Sequence, residues 1–359
     1  MTEAKSIETL SVSFTAGVIA GTALSSAGAA LPLLLLLALS LPCLFRRRII
    51  PMPSAPTLVL MAGTFLLLGC FCAWNSAQPG PALDGPIKRL ADDPALRLRA
   101  LIGSLPFRSP DTAPLLLALL TGERSGLSTH VQGIFRASGA SHLLALSGLH
   151  MGILYLVFDR ATRLMGRSPS VRKLRYVLLL SAAGFFTLMT GAGPSLVRAF
   201  LFIAISETLR LLGRPRNPLR ILCLALLVQL ALDPAAIRSL GFQLSYLAMA
   251  GITLLYPILD SWYPAGAKWD PFRKIWSGSA LGISCQAFTA PLVWLRFHSF
   301  PRFFLLTNLL ALPVTTLLMV VSVGTVALSA LGGCPAVLYT ATDGLCRLLL
   351  WILELISAL

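Results

Sequence analysis

Long apolar blocks recur along the chain. A membrane-crossing helix needs roughly 20 mostly apolar residues. Blocks of that order lie at 10–45, 57–74, 142–158, 174–190, 195–212, 218–232, 240–259, 276–296, 304–330 and 336–358. The first is too long for one span and reads as a helical hairpin turning near residues 25–32. The pattern predicts an all-α, polytopic transmembrane bundle of about eleven spans. Between the second and third blocks the pattern changes. Ile87, Leu90, Ala91, Ala95, Leu98, Leu101 and Ile102 recur at near-helical spacing, with Lys88, Arg89, Asp92, Asp93, Arg97 and Arg99 between them. Such a helix lies in the interface plane, and Pro94 is expected to kink or restart it. The apolar run 112–122 is too short to span and reads as re-entrant or packed on the bundle. The chain therefore divides into N-terminal transmembrane helices (1–74), an extracytoplasmic segment with the amphipathic helix (75–141) and a transmembrane bundle (142–359).

Polar groups inside a bilayer are costly, so their positions inform most. On a continuous helix, Ser141, Ala145, Gly148 and Gly152 form one stripe of small residues that lets a neighbouring helix approach closely. Ser147 and His150, three apart, share another face, with His142 between. Two readings stand for these groups: hydrogen bonds to neighbouring helices, or a polar wall facing a cavity. A Ser–His pair is also the minimum for nucleophilic catalysis, but on adjacent turns it rarely reaches attack geometry. In 191–198, Pro194 and Ser195 suit a helix start after a glycine turn, which sets Arg198 about one turn inside the span. That arginine either snorkels outward or presents a fixed positive charge to an anion. Gly241, Ser245 and Ala248 form a second small stripe, while Gln243 and Tyr246 share a side where polar groups line water. Gln229 and Gln286 read as interhelical hydrogen-bonding groups. Asn308 precedes Pro313, whose missing N–H leaves a backbone acceptor near Leu309 in need of a partner.

Composition agrees with the blocks. Hydrophobic residues make up 56% of the 359 and charged residues only 12%, half the usual share for a globular domain; mean hydropathy is +0.80. The net charge of +15 is what positive-inside loops produce, so it does not by itself name a partner. Basic clusters follow the first hairpin (Arg46, Arg47, Arg48) and fill 160–175, 210–220 and 268–274. They fall in every second loop, which sets the N-terminus in the cytoplasm and the C-terminus outside. The seven cysteines have neither disulfide-framework nor zinc spacing and read as packing residues. There is no P-loop, no acidic pair midway through a span, and too few histidines for a dinuclear metal centre. No cofactor is expected.

Five segments carry a family resemblance. SHLLALSGLHMGIL at 141–154 resembles the signature of the ComEC competence family, and four others follow in that family's order. They are LLALLTGERSGL (116–127), GAGPSLVRAFLF (191–202), DPAAIRSLGFQLSYLAMAGI (233–252) and TNLLALPVTTLLM (307–319). The resemblance implies an inner-membrane channel that passes single-stranded DNA into the cytoplasm during natural transformation. It makes 142–359 the competence-type bundle. Ser147, His150, Arg198, Gln243 and Asn308 would line the DNA path, with Arg198 steering phosphates and no residue catalytic. Full-length relatives also carry an OB-type and often a metallo-β-lactamase-like domain. Residues 75–141 are too short and too helical for the former, and no HxHxDH motif is present, so no nuclease activity is expected here. A separate DNA receptor, a nuclease and a cytoplasmic helicase-type ATPase become the expected partners. Two rivals remain: a secondary transporter for a small anionic solute, and an intramembrane serine hydrolase using Ser147 or Ser141.

Overall fold

The computed structural model describes residues 3–23, 55–76, 86–166, 168–264, 270–298 and 303–358. These are all-helical, with no strand among them. In chain order the helices are α1 (Glu3–Ala23), α2 (Ala55–Ser76), α3 (Pro86–Ser104), α4 (Thr112–Thr121), α5 (Thr129–Ala137), α6 (Ser141–Leu144), α7 (Gly148–Arg163) and α8 (Pro169–Met189). They continue as α9 (Pro194–Leu211), α10 (Pro218–Leu232), α11 (Leu240–Leu254), α12 (Tyr256–Ser261), α13 (Pro271–Phe297), α14 (Phe304–Ala330) and α15 (Ala336–Ser357). The turn expected within the first hairpin lies outside the described residues. Among the described residues, four helical stretches are long and apolar enough to cross a bilayer: Leu240–Ser261, Phe272–Phe297, Phe304–Ala330 and Ala336–Ser357. Ile7–Thr22, Ala62–Ala73 and Pro218–Leu232 are apolar but shorter. The first two turns of α8 carry Arg172, Lys173 and Arg175, which dilute an otherwise apolar helix.

The chain forms two compact units, Met1–Leu83 with Leu201–Tyr246, and Asp84–Phe200 with Leu247–Leu359. In the first, α1 and α2 approach so closely that a Cβ on Gly17 would stand 1.9 Å from the Leu66 carbonyl oxygen, and one on Gly69 2.2 Å from that of Phe14. Only glycine lets two backbones meet this way. The side chains beside the crossing are buried, Phe14 and Val18 among them. Ser11 ties α1 to α10 by donating to the Cys223 carbonyl at 3.0 Å.

In the second unit α4 is central. Leu115, Leu116 and Leu119 have no solvent exposure and pack in one cluster with Phe135 of α5, Leu318 and Met319 of α14, and Leu349 and Leu353 of α15. The short run 112–122 is thus a core helix, closed by Gly122 in the left-handed region (φ 78°), whose N–H donates to the Ala118 carbonyl. A buried carboxylate fixes its start: Asp343 of α15 accepts from the Thr112 hydroxyl at 2.6 Å and the Arg108 N–H at 2.8 Å. The amphipathic helix forms as α3 and runs on through Pro94, so proline does not restart it. Between α7 and α8, buried Asp159 binds Arg163 at 2.7 Å and also Arg175. The described cysteines (70, 72, 223, 285, 334 and 346) are all free thiols.

Candidate functional site: a broken helix

The segment read as a continuous helix from 142 is broken. α6 ends at Leu144, Ala145 is extended (ψ 127°), and Ser147 (φ −128°, ψ 173°) caps the new helix α7 at Gly148. The physical reason is local. A serine side chain that can bind free N–H groups favours a helix start, and a glycine beside it weakens continuation. The Ser147 hydroxyl accepts from the Leu149 N–H at 3.2 Å, and His150 Nδ1 accepts from the Ser147 N–H at 3.3 Å, a reciprocal capping box.

The break corrects the small-residue stripe. Ser141, Ala145, Gly148 and Gly152 do not share one helix, because Ala145 lies in the extended link and Ser141 precedes it on α6. Ser141 is exposed and donates to the Phe135 carbonyl at 3.4 Å. Gly152 is exposed too, with no atom within 4 Å of where a Cβ would sit. Gly148, unlike Gly152, meets a close neighbour, and that neighbour is Arg198. The guanidinium Nη2 lies 2.8 Å from the position of a Cβ on Gly148. Arg198 is 6% exposed, so it is folded inward rather than laid out along the surface. The turn that delivers it is tight, with Gly191 (φ 83°) and Ala192 (φ 49°) both left-handed before Pro194 begins α9.

Two further segments clamp the break. Arg124, in the loop after α4, donates from Nε to the Leu144 carbonyl at 3.1 Å, one of the acceptors freed where α6 ends. The neighbouring Glu123 accepts from the Ser125 N–H at 3.2 Å and pairs with Arg99 at 3.3 Å. Hydrogen bonds from Ser125, then the Arg99 charge, hold its carboxyl below the usual range. Thr307 on α14, fully buried, donates to the Ser138 carbonyl at 2.7 Å on the near side of α6. Asn308 follows it with its side chain against His142, and its Oδ1 is a buried acceptor without a partner among the described residues. Four of the five quoted segments therefore meet at residues 138–150.

The fifth segment folds differently from the expectation. Gln243 donates from Nε2 to the Ile237 carbonyl at 2.7 Å, closing the 3₁₀ turn Pro234–Arg238 ahead of α11. Tyr246 is buried and donates to Gln229 at 2.9 Å. Neither side chain is held open for water as their shared face suggested, whereas Gln229 does bond between helices. Gly241 and Ser245 sit one turn apart on α11.

Chemically, the break joins a helix N-terminus, where anions are favoured, to a buried guanidinium and neutral hydrogen-bonding groups. Because His150 Nδ1 accepts, its proton resides on Nε2, which is fully buried and without a partner among the described residues. Such a donor is what a bound water or anion takes up. Ser147 Oγ does come within 3.1 Å of His150 Nδ1, closer than their spacing suggested. Yet Oγ is occupied by the cap, and among the described residues no group orients Nε2 as a catalytic histidine requires.

Residues 119–359 match the competence-protein family over two thirds of the chain. The chain belongs to that family. ComE operon protein 3 of Bacillus subtilis is 27% identical over 207 residues, 58% of this chain and 25% of the relative. Competence protein ComA of Neisseria gonorrhoeae is 30% identical over 178 residues, 48% and 25% of the respective chains. Recombination protein 2 of Haemophilus influenzae is 27% identical over 224 residues, 57% and 27%. The matched part thus spans about a quarter of these curated relatives. No solved structure is significantly similar. With its apolar helices, this member of the competence family is a membrane protein.

Three residues with long-range bonds were not singled out from the sequence, two at the break and one at the start of α4. Arg124 and Thr307 lay inside quoted motifs without being singled out. Asp343 is an ionisable residue within the last apolar block, a position that marks a structural or functional partner by default.

Proposed function

We propose that this competence-family chain forms the inner-membrane passage for single-stranded DNA in natural transformation. The observation that supports it most is the convergence of four motif segments on the broken helix, with buried Arg198 against its first residue. Discontinuous helices that offer a half-helix N-terminus to an anionic group are how membrane proteins build polar sites at depth. A phosphodiester carries one negative charge and several acceptor oxygens, and Arg198 with the α7 N-terminus suits it. Ser147 shapes the break, and His150 and Asn308 contribute a donor and an acceptor to the same path. Gln243 instead fixes the start of α11. No residue here acts as a catalyst. The chain crosses the membrane about eleven times, with a cytoplasmic N-terminus and an extracytoplasmic C-terminus. A DNA receptor, a strand-degrading nuclease and a helicase-type ATPase would act together with it.

The same broken helix also suits a secondary transporter of a small anion, and one experiment separates the two. The gene is deleted in a proven competent host and restored as wild type or as Arg198→Ala, at matched membrane levels. The DNA reading expects transformation to vanish on deletion, return with wild type and fail with the variant. Unchanged transformation on deletion, with saturable loss of small-anion uptake, overturns it.

A further inference from the structure

The second unit contains a cavity of about 320 Å³ lined by residues of α3, α4, α7, α8 and α14 and by none of the residues placed at the break. Its floor is buried and apolar, built from Met151, Leu179, Ala183 and Val326. Its rim carries Phe158 and Phe185, which are 45% and 47% exposed. A buried floor under exposed phenyl rings, in a membrane protein, opens onto hydrocarbon. Water does not fill such a space: each buried water needs two to four polar partners, and the lining offers one polar side chain, Tyr155. The volume is at the small end of ligand-burying pockets, about 300–1,000 Å³. One lipid chain fits that room, whereas a folded helix, some 10 Å across, does not.

The α3 side supplies the second half of a lipid. Leu98 and Leu101 of this helix line the cavity. Arg97, one turn before Leu101 on the same face, is exposed. A helix with apolar and basic faces lies at headgroup level, so an exposed guanidinium beside the cavity edge meets a lipid phosphate. We propose that this cavity holds one acyl chain of a membrane phospholipid, its phosphate engaged by Arg97. The occupied pocket would couple α3 to the α7–α8 hairpin, and so lipid to the helix that begins at the break.

The test uses the full chain in nanodiscs containing a phospholipid with a photoactivatable group on one acyl chain. Irradiation should label peptides covering 151–186 and 323–330 in preference to exposed apolar faces elsewhere. After detergent extraction, native mass spectrometry should find one phospholipid retained per chain. Ala183→Phe and Ala327→Phe, which fill the cavity, should cut retention at least fivefold. Val337→Phe, on an exposed position of α15, should leave it unchanged. Arg97→Ala should weaken retention of anionic lipid. Label spread evenly over apolar surfaces, retention unaffected by both filling variants, or crosslinks to another protein in native membranes would each overturn the proposal. Should either filling variant misfold, the labelling map of the wild-type chain still decides.

Discussion

The guanidinium of Arg198 occupies the space in which a side chain on residue 148 would begin, 2.8 Å from the missing Cβ. This pairing yields a test that separates fold from function. Gly148→Ala places a methyl group there, and the far end of a flexible side chain is what has to move. Alanine improves local helix propensity by up to about 1 kcal/mol, which offsets the crowding. Thermal stability in detergent is therefore expected to stay within about 1 kcal/mol of wild type, while transformation falls at least tenfold because the cation is displaced. Wild-type transformation in a well-expressed Gly148→Ala strain would mean that the position of the guanidinium does not matter.

Ser147 is expected to behave as a cap rather than as a nucleophile. Ser147→Ala removes the acceptor for the first N–H groups of α7 and should cost about 1 kcal/mol. Ser147→Asn, which also caps, should restore most of it. A fluorophosphonate probe should leave the purified protein unlabelled. Labelling that disappears in Ser147→Ala would bring back the hydrolase reading.

Much of this architecture was legible in the sequence because apolar blocks map directly onto helices. The block 304–330 is α14 to the residue, and the periodicity of 87–102 is α3. The break at 145–147 was hidden for a physical reason. The surrounding leucines favour helix on either side, and the signal for a restart was a single Ser-Gly step inside an apolar run. Small residues misled in the same way. Ser141 and Gly152 had the right spacing but face outward, whereas Gly17 and Gly21, also four apart, sit at the α1–α2 crossing and were passed over. Arg124 and Thr307 were invisible as clamps because each binds a backbone carbonyl, and no side-chain pattern reports that. The long-range partners of Asp343, more than 200 residues away, depend on tertiary packing alone.

Asp343 should rank among the costliest polar residues to remove. Asp343→Ala leaves the Thr112 hydroxyl and the Arg108 N–H without their acceptor. A buried donor left unpaired costs about 1–3 kcal/mol; that penalty falls on the buried Thr112 hydroxyl, whereas the Arg108 N–H is only partly buried, so a loss of roughly 1–3 kcal/mol is expected. Asn keeps one acceptor oxygen and should recover about half, and Thr112→Val should cost less than either. Denaturation of the purified variants in mixed micelles ranks them. Equal stability of Ala and wild type would show that water replaces the carboxylate freely.

The start of α13 carries a pH response whose sign follows from its hydrogen bonds. Asp270 accepts from the Tyr263 hydroxyl at 2.7 Å and from the N–H groups of Phe272 and Arg273 at 2.9 and 3.2 Å, capping the helix. The Tyr263 hydroxyl first, then these N–H groups and the Arg273 charge, hold its carboxyl below the usual range. The folded state thus binds this proton less readily than the unfolded chain. The cap's contribution is complete above the ordinary carboxylate pKa of about 3.9 and is lost as pH falls through the lower folded value. Amide exchange in 271–276 should stay protected at neutral pH and rise only in strong acid. Tyr263→Phe removes the main donor, so the onset should move to higher pH. Asp270→Asn caps without titrating and should make protection independent of pH across that range. An onset unmoved by Tyr263→Phe would show that the phenol does not set the acidity of Asp270.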